Sequence, residues 1–355
     1  MQKIPVPVKL PESVEGKEVT VLGIESTSHT LGVGVLRFSR GSVEILANIS
    51  SQYRPEKGGI HPREASQHHM KNAPTVLREV LRKAGVSMRD INTVATAIGP
   101  GIGPCLRVGV TIARFLSKYF NIPLTPVNHA VAHIEIGKLF SGFNDPVIVY
   151  VSGGNTMVLV QKNSQYRVMG ETLDIPLGNL FDTFTREIGI APPYVVDGKH
   201  AIDVCAEWSQ EFQPLPYTVK GNDLSFSGLL TAALKLAREA NGGKESLGRI
   251  CNSLRETAFN MLIEVSERVL ALTNKKQLLL VGGVASNKVL RWKMETLTSI
   301  YNVKYYGTPP DVAGDNGVMI AYTGLLLYLY GRTSKPEETH VKQRYRIDED
   351  AYPWL

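Results

Sequence analysis

The chain has 355 residues, 43% hydrophobic and 20% charged, with a formal net charge of +6. This is ordinary globular composition, too long for one small core, so two domains or one duplicated fold are expected. The positive balance allows a polyanionic partner without demanding one. No apolar run approaches the ~20 residues of a membrane span, and "MQKIPVPVKLPESVEGKE" at the N-terminus lacks the apolar stretch of a signal peptide.

Residues 1–18 read as a short Pro-rich arm. "VTVLGIESTSHTLGVGVLRF" (Val19–Phe38) is an apolar strand, a polar turn and a second apolar strand, a hairpin opening an α/β stretch. "ASQHHMKNAPTVLREVLRKAG" has helical spacing after Pro62, with Pro74 interrupting it. "INTVATAIGPGIGPCLRVGVTIARFL" reads as strand, Gly/Pro loop and helix, and "IPLTPVNHAVAHIEIGKLF" as a short strand and a helix. "PVIVYVSGGNTMVLVQ" (Pro146–Gln161) is a second hairpin with a Gly-rich turn, and its likeness to the first predicts a duplication. The second half is more helical, with helices expected over 228–241, 250–273, 286–300 and 316–330. The tail "TSKPEETHVKQRYRIDEDAYPWL" is polar and charged, the pattern of a surface segment. The expected divisions are therefore an arm (1–18), a first unit (19–145), a second unit with a helical insertion (146–332) and a tail (333–355). Cys105, Cys205 and Cys251 stand far apart without a C-x-x-C pair, which predicts small core residues in a reducing cytoplasm.

Several short stretches carry chemistry. "IESTSHT" brings Glu25 together with three hydroxyls, and "YVSGGNT" brings Ser152, Gly153 and Gly154 into one turn. Glycines without Cβ let backbone N–H groups approach an anion, and two such turns facing each other would clamp a phosphate. The bland alternative is a pair of ordinary hairpins, since Gly-Asn is a common turn dipeptide. "LLLVGGVASNKVLR" (Leu278–Arg291) is a strand–Gly-Gly–helix junction suited to a flat adenine or ribose, with Ser286 or Asn287 as helix cap. In "AGDNG", Asp315 stands before an apolar helical run, either as an N-cap or as a metal ligand.

In "VNHAVAHIEIG", His129 and His133 lie four apart, so a helix places both imidazoles on one face. His61, His68 and His69 form a rival cluster, although adjacent residues on a helix point to different faces. Neither fits H-E-x-x-H: Ala130 stands where a zincin has its general-base Glu.

Taken in order, these motifs resemble the actin-like ATPase fold shared by sugar kinases and Hsp70 chaperones: a duplicated α/β fold (ASKHA) whose two lobes flank a central nucleotide and metal cleft. More narrowly, "GIESTSHTLGVG", "GGIHPREASQHH", "GPGIGPCLRVG", "VNHAVAH", "YVSGGNT", "GNLFDTFTREIG", "DLSFSG", "LVGGVASNKVLR" and "VAGDNGVMIA" are similar to the tRNA threonylcarbamoyladenosine synthesis family. The HTLGVG and HPREA forms resemble its archaeal and eukaryotic branch, the catalytic subunit of the KEOPS complex. The resemblance covers about Val19 to Ile347.

It implies transfer of a threonylcarbamoyl group from threonylcarbamoyl-adenylate to N6 of the adenosine 3′ of the anticodon in ANN-decoding tRNAs, giving t6A and AMP. It implies one divalent metal per subunit on His129, His133, Tyr150 and Asp315. Imidazole, phenol and carboxylate ligands suit iron or zinc better than magnesium, and the resemblance puts iron first, with zinc or magnesium as alternatives. Substrate contacts carried over by motif are Tyr150, Val151, Ser152, Gly153, Gly154, Asp182 and Asn287. Backbone N–H groups of Ser152–Gly154 are expected to steady the phosphate. Relatives often carry a His-Pro-Gly-Gly-Pro run where this chain has "APPYVVDGKHAID"; Gly198 and Asp203 are the counterparts chosen there. Glu25 is a candidate for positioning water, metal or substrate, or for capping its own turn. The implied partners are tRNA, the adenylate, and the kinase-like and other KEOPS subunits, in the cytoplasm and without a membrane. An actin-like kinase, an endopeptidase and a non-enzymatic nucleic-acid scaffold are the competing readings, of which the broken zincin pattern weakens the second.

Overall fold

Two sheets, each covered on both faces, organise the chain. The computed structural model describes residues 3–55, 58–190, 195–196, 199–240 and 243–355. The first sheet contains β1 (Lys3–Pro5), β2 (Glu18–Glu25), β3 (Thr30–Ser39), β4 (Ser42–Gln52), β5 (Thr93–Gly99) and β6 (Leu124–Asn128), in the order β1-β4-β3-β2-β5-β6. Three helices follow strands in this half: α1 (Pro62–Ala84), α2 (Gly103–Phe120) and α3 (His129–Ser141). The second sheet contains β7 (Val147–Val151), β8 (Thr156–Lys162), β9 (Gln165–Glu171), then β14 (Gln277–Val281) and β15 (Lys304–Gly307), in the order β15-β14-β7-β8-β9. Between β9 and β14 lie α4 (Leu177–Glu187), the pair β10 (Val195–Val196) and β11 (Lys199–His200), α5 (Ala201–Ala206), the pair β12 (Val219–Lys220) and β13 (Asp223–Leu224), α6 (Ser227–Glu239) and α7 (Lys244–Thr273). After β14 come α8 (Lys288–Ile300), α9 (Pro310–Ala313) and α10 (Gly317–Leu329).

The two sheets repeat one plan. An antiparallel meander, β2-β3-β4 or β7-β8-β9, carries two parallel strands on its first member, β5-β6 or β14-β15. The hairpin halves of this plan were legible, whereas β4 and β9 add third strands that the hairpins did not announce. The arm also contributes: Lys3–Pro5 pairs with Ser42–Glu44, so part of it belongs to the first sheet. Helix α1 runs unbroken through Pro74, against the expected interruption.

Strand alternation assigns each face. In β2, Leu22 and Ile24 pack toward α1 and α2, while Val21 joins the core that includes α3 and α10. In β7, Val147, Val149 and Val151 face the core of α4–α8, while Ile148 and Tyr150 face α3 and α10. Helices α3 and α10 thus lie in the core shared by both sheets. Helix α10 is apolar on nearly every side, as a helix buried all round must be. It touches β2 and β3 backbone to backbone: a Cβ on Gly23, Gly34 or Gly317 would collide with main-chain atoms of the opposing element.

Two sequence expectations fail here. The tail is not a surface segment, since Tyr345, Ile347, Tyr352 and Trp354 are buried. The Lys342 N–H donates to the Ile98 carbonyl (2.7 Å) and the Trp354 indole N–H to Glu135 Oε1 (2.8 Å). Its apolar residues are spaced among charges with no helical or strand period, so pattern reading missed them. Nor are all the cysteines single core residues. Cys205 of α5 and Cys251 of α7 form a disulfide, their Cα atoms 5.8 Å apart, and only Cys105 is free. Sequence distance hid the pair because α5 packs on α7 after a long connection.

Closing a loop of 46 residues, this bridge should stabilise the fold by about 4 kcal/mol on the chain-entropy relation. Cys251→Ser should lower the denaturation midpoint accordingly. Thiol titration of the denatured wild type should find one thiol without reductant and three with it.

Candidate functional site

Helix α3 begins at the mouth of the shared core. Asn128 Oδ1 caps it, accepting from the N–H groups of Ala130 (3.0 Å) and Val131 (3.3 Å). The Asn128 amide also donates to the Arg346 carbonyl (3.0 Å), so the tail braces the same turn. His129 and His133 then share one face, as their spacing requires, with ring centroids 4.7 Å apart and planes at 89°.

Glu25 ends β2 on the face that Val21 and Gly23 also occupy. Its Oε2 lies 2.8 Å from His129 Nδ1, and its Oε1 accepts from the Thr27 N–H (2.6 Å) and the Thr27 hydroxyl. With both oxygens engaged and the residue fully buried, Glu25 faces the imidazole and its own turn rather than solvent. Holding Nδ1 leaves His129 Nε2 turned toward Asp315, 3.6 Å from Oδ1. His133 Nε2 lies 3.3 Å from the same oxygen without a well-directed hydrogen bond, and neither of its buried ring nitrogens has a hydrogen-bond partner. One ligand atom from each of His129, His133 and Asp315 falls within 4.8 Å of the others.

Asp315 is free to serve here because its neighbour does the capping. Asn316 Oδ1 accepts from the Met319 N–H (3.0 Å) at the start of α10, and its amide donates to the Val312 and Gly314 carbonyls. Tyr150 is buried with its ring 5.4 Å from that of His133, and its hydroxyl accepts from Asn155 Nδ2 (3.4 Å). Burial pushes this phenol well above its ordinary range, and the hydrogen bonds of Ser152 and Asn155 only partly offset that.

The residues present fit a divalent cation. A buried imidazole with no partner costs free energy, and a cation among these three atoms removes that cost. The donors are two imidazoles and a carboxylate with a phenol beside them, a set suited to iron or zinc. The carboxylate behind His129 Nδ1 fixes its tautomer and orientation, as partners of metal-binding imidazoles do.

Around the triad, the expected substrate residues fall into three groups. In the β7–β8 turn the Ser152 N–H donates to the Asn155 carbonyl (2.8 Å), and Ser152 Oγ accepts from the N–H groups of Gly154 (3.2 Å) and Asn155 (3.0 Å). The expected phosphate cradle is thus largely satisfied within its own turn. Side chains added at Gly153 or Gly154 would meet only open space, so the turn keeps an uncovered face. Val151 is buried under it. Asp182, on α4, takes His200 Nε2 at 2.9 Å, and His200 Nδ1 accepts from the Ile202 N–H at 3.1 Å as the cap of α5. Asp203 and Asn287 meet directly: Asn287 Nδ2 donates to Asp203 Oδ2 (2.7 Å), while Asn287 Oδ1 caps α8. Gly198 lies outside the described residues.

The rival histidines do not assemble. His68 Nε2 pairs with Ser51 Oγ (2.9 Å) and His69 Nε2 donates to the Ser28 carbonyl (2.9 Å). Among the described residues, the cluster able to hold a metal is that of His129, His133 and Asp315. Sequence reading missed His200, Arg255 and Asn316. Asn316 and His200 had local signals, each standing where a helix starts. Arg255 had none, being one polar residue in the long helix α7.

The two site histidines titrate in opposite senses. Burial depresses His129, but Glu25 and Asp315 outweigh it and raise the imidazole to about 9. Burial lowers His133, helped by the charge on His129 and opposed by Asp315. Burial would raise Asp315, yet His133 and His129 hold it well below the usual carboxylate range. In the metal-free protein, the raised group gives stability that is complete below about 6.5 and lost as pH rises through about 9. The lowered group acts below 6.5, where protonating His133 costs stability. The thermal midpoint of metal-free protein should therefore fall on both sides of this range, and Glu25→Gln should remove most of the alkaline fall.

A family described as tRNA N6-adenosine threonylcarbamoyltransferase matches residues 44–322. A tRNA N6-adenosine threonylcarbamoyltransferase of Staphylothermus marinus is 62% identical over 336 residues, covering 94% of this chain and 99% of that protein. The protein of the same name from Hyperthermus butylicus is 54% identical over 338 residues, covering 95% and 92%. Among solved structures, HypF of T. kodakarensis matches with a TM-score of 0.61 at 15% identity, over 94% of this chain and 50% of that one. That likeness is one of fold, and the chain spans half the length of that protein.

Proposed function

The chain belongs to the tRNA N6-adenosine threonylcarbamoyltransferase family and is a transferase; from that premise we propose that it moves a threonylcarbamoyl group from threonylcarbamoyl-adenylate to N6 of the adenosine 3′ of the anticodon in ANN-decoding tRNAs. The observation that carries this reading is the His129–His133–Asp315 cluster beside the glycine turn at Gly153 and Gly154. A kinase of the same architecture would hold Mg²⁺ mainly through water and carboxylates, which gives no reason for a paired imidazole.

The amine N6 attacks the carbamoyl carbon. The N–C bond forms, the C–O bond to phosphate breaks, AMP leaves with the bonding pair, and the proton lost from N6 passes to solvent. A divalent metal bound by His129, His133, Asp315 and Tyr150, iron first among candidates, would supply charge neutralisation at the phosphate and polarise the carbonyl. Glu25 acts through His129, keeping Nδ1 occupied and Nε2 presented. Gly153 and Gly154 leave room for the phosphate to approach the turn. Asp182, Asp203 and Asn287 accept or donate hydrogen bonds to ribosyl and threonyl groups; Gly198 belongs to the same set.

Residues 19–145 and 146–332 form the two lobes of a duplicated actin-like fold in this reading, with the site in the cleft between them. The chain acts as the catalytic subunit of KEOPS, with the kinase-like subunit and the others as partners, in the cytoplasm. No helix among the described residues is long and apolar enough to cross a membrane. The Cys205–Cys251 bridge means that the cysteines themselves no longer argue for a reducing compartment.

The test is to incubate the chain, with its KEOPS partners, with threonylcarbamoyl-adenylate and unmodified tRNA, then digest and chromatograph the nucleosides. The t6A nucleoside should appear with the wild type. With His129→Ala, bound metal and t6A should fall together while the far-UV spectrum is kept. Unchanged metal content and activity in that variant would sink the ligand assignment.

A further inference from the structure

Helices α5, α7 and α8 are tied into a ring of polar contacts beside the proposed substrate residues. Asp203 of α5 takes the Arg255 guanidinium of α7 on Oδ1 (3.3 Å) and Asn287, the cap of α8, on Oδ2 (2.7 Å). Arg255 is itself held by Asn252 Oδ1 (3.1 Å) and Glu256 Oε1 (3.4 Å). The second oxygen of Glu256 takes Lys293 Nζ of α8 at 2.7 Å, which closes the ring. The Cys205–Cys251 bridge fastens α5 to α7 behind it, two residues after Asp203 and one helical turn before Arg255. The Arg255 and Asp203 side chains are only 13% and 16% exposed, so solvent screens their attraction weakly.

We infer that Arg255 is a positioning residue that fixes the Asp203 carboxylate against Asn287 so that its remaining lone pairs meet the hydroxyls of a nucleotide ribose. A carboxylate is acceptor-only, so an Asp held in this way selects ligands that bring hydroxyl donors. Each oxygen of Asp203 has one side-chain donor, Arg255 or Asn287, and can take another. The guanidinium is a planar fork whose nitrogens bind Asp203, Asn252 and Glu256 together, which a flexible ammonium cannot reproduce. This inference rests on the proposed use of Asp203 and Asn287 as substrate contacts.

The experiment measures binding of AMP, 2′-deoxy-AMP and 3′-deoxy-AMP to the full chain by calorimetry. The proteins are the wild type, Arg255→Gln, Arg255→Lys, Asp203→Asn, and the double variant Asp203→Asn/Arg255→Gln. The wild type should prefer AMP over at least one deoxy analogue by roughly tenfold, the scale of a hydrogen bond to a charged group. Arg255→Gln should collapse that preference, Arg255→Lys should keep part of it, and the double variant should be no worse than Asp203→Asn alone. A purely structural role would instead weaken all three ligands alike or add to the Asp203 effect, and either result overturns the inference. Thermal unfolding identifies a misfolded variant, in which case Arg255→Lys carries the comparison. A wild type without hydroxyl preference also overturns it, while t6A formation in the nucleoside assay leaves the reaction standing. Hydroxyl preference lost in Arg255→Gln, with no t6A from the wild type, overturns the reaction and leaves the role of Arg255 intact.

Discussion

Everything at the site depends on how closely α10 can lie on β2 and β3. Glycine stands on both sides of that contact, at 23 and 34 in the strands and at 317 in the helix. Without side chains between them, the first turn of α10 rests on the sheet backbone. Asp315, two residues earlier, is thereby brought over the end of β2, where Glu25 holds His129. Larger residues at those positions would lift the helix and carry the carboxylate away from both imidazoles. The polar chemistry is thus set by a steric condition among residues that have no chemistry of their own.

Within that frame, two histidines of one helix meet opposite conditions. His129 is backed by a buried carboxylate and faces another, so it attracts positive charge. His133 is buried deeper, lacks a partner behind it and sits beside a cationic neighbour, so it resists protonation. A cation held by both rings would meet one imidazole inclined to keep a proton and one inclined to stay neutral. The proton cost of taking up a metal would then fall mainly on His129, the imidazole that Glu25 backs.

What could be read beforehand follows the reach of each signal. The pair His129 and His133 was legible because helical period is local, whereas the Asn128 cap that starts their helix was found only in the structure. The turns at Glu25 and Ser152 were legible because glycine and hydroxyl clusters punctuate strands. Whether Asp315 caps or coordinates was not, since Asp and Asn cap equally well and only the structure gives the cap to Asn316. Pairings between distant segments left no trace: Cys205 with Cys251, Arg255 with Asp203, and the tail with α3. The Ser152 turn was misread in detail because glycine content shows that backbone can be approached, not that its N–H groups are free.

The anchoring of Trp354 on Glu135 also has a meaning in time. These residues are 219 positions apart, and Glu135 sits on the same helix as both imidazoles, two residues after His133. At ~5–20 residues per second of synthesis, about 10–40 s separate the appearance of the imidazoles from that of the indole that braces their helix. During that interval Glu135 can have Tyr166 and Lys138 but not the indole, and Asn128 lacks the Arg346 carbonyl. The helix that carries His129 and His133 is thus braced by residues made more than two hundred positions after it.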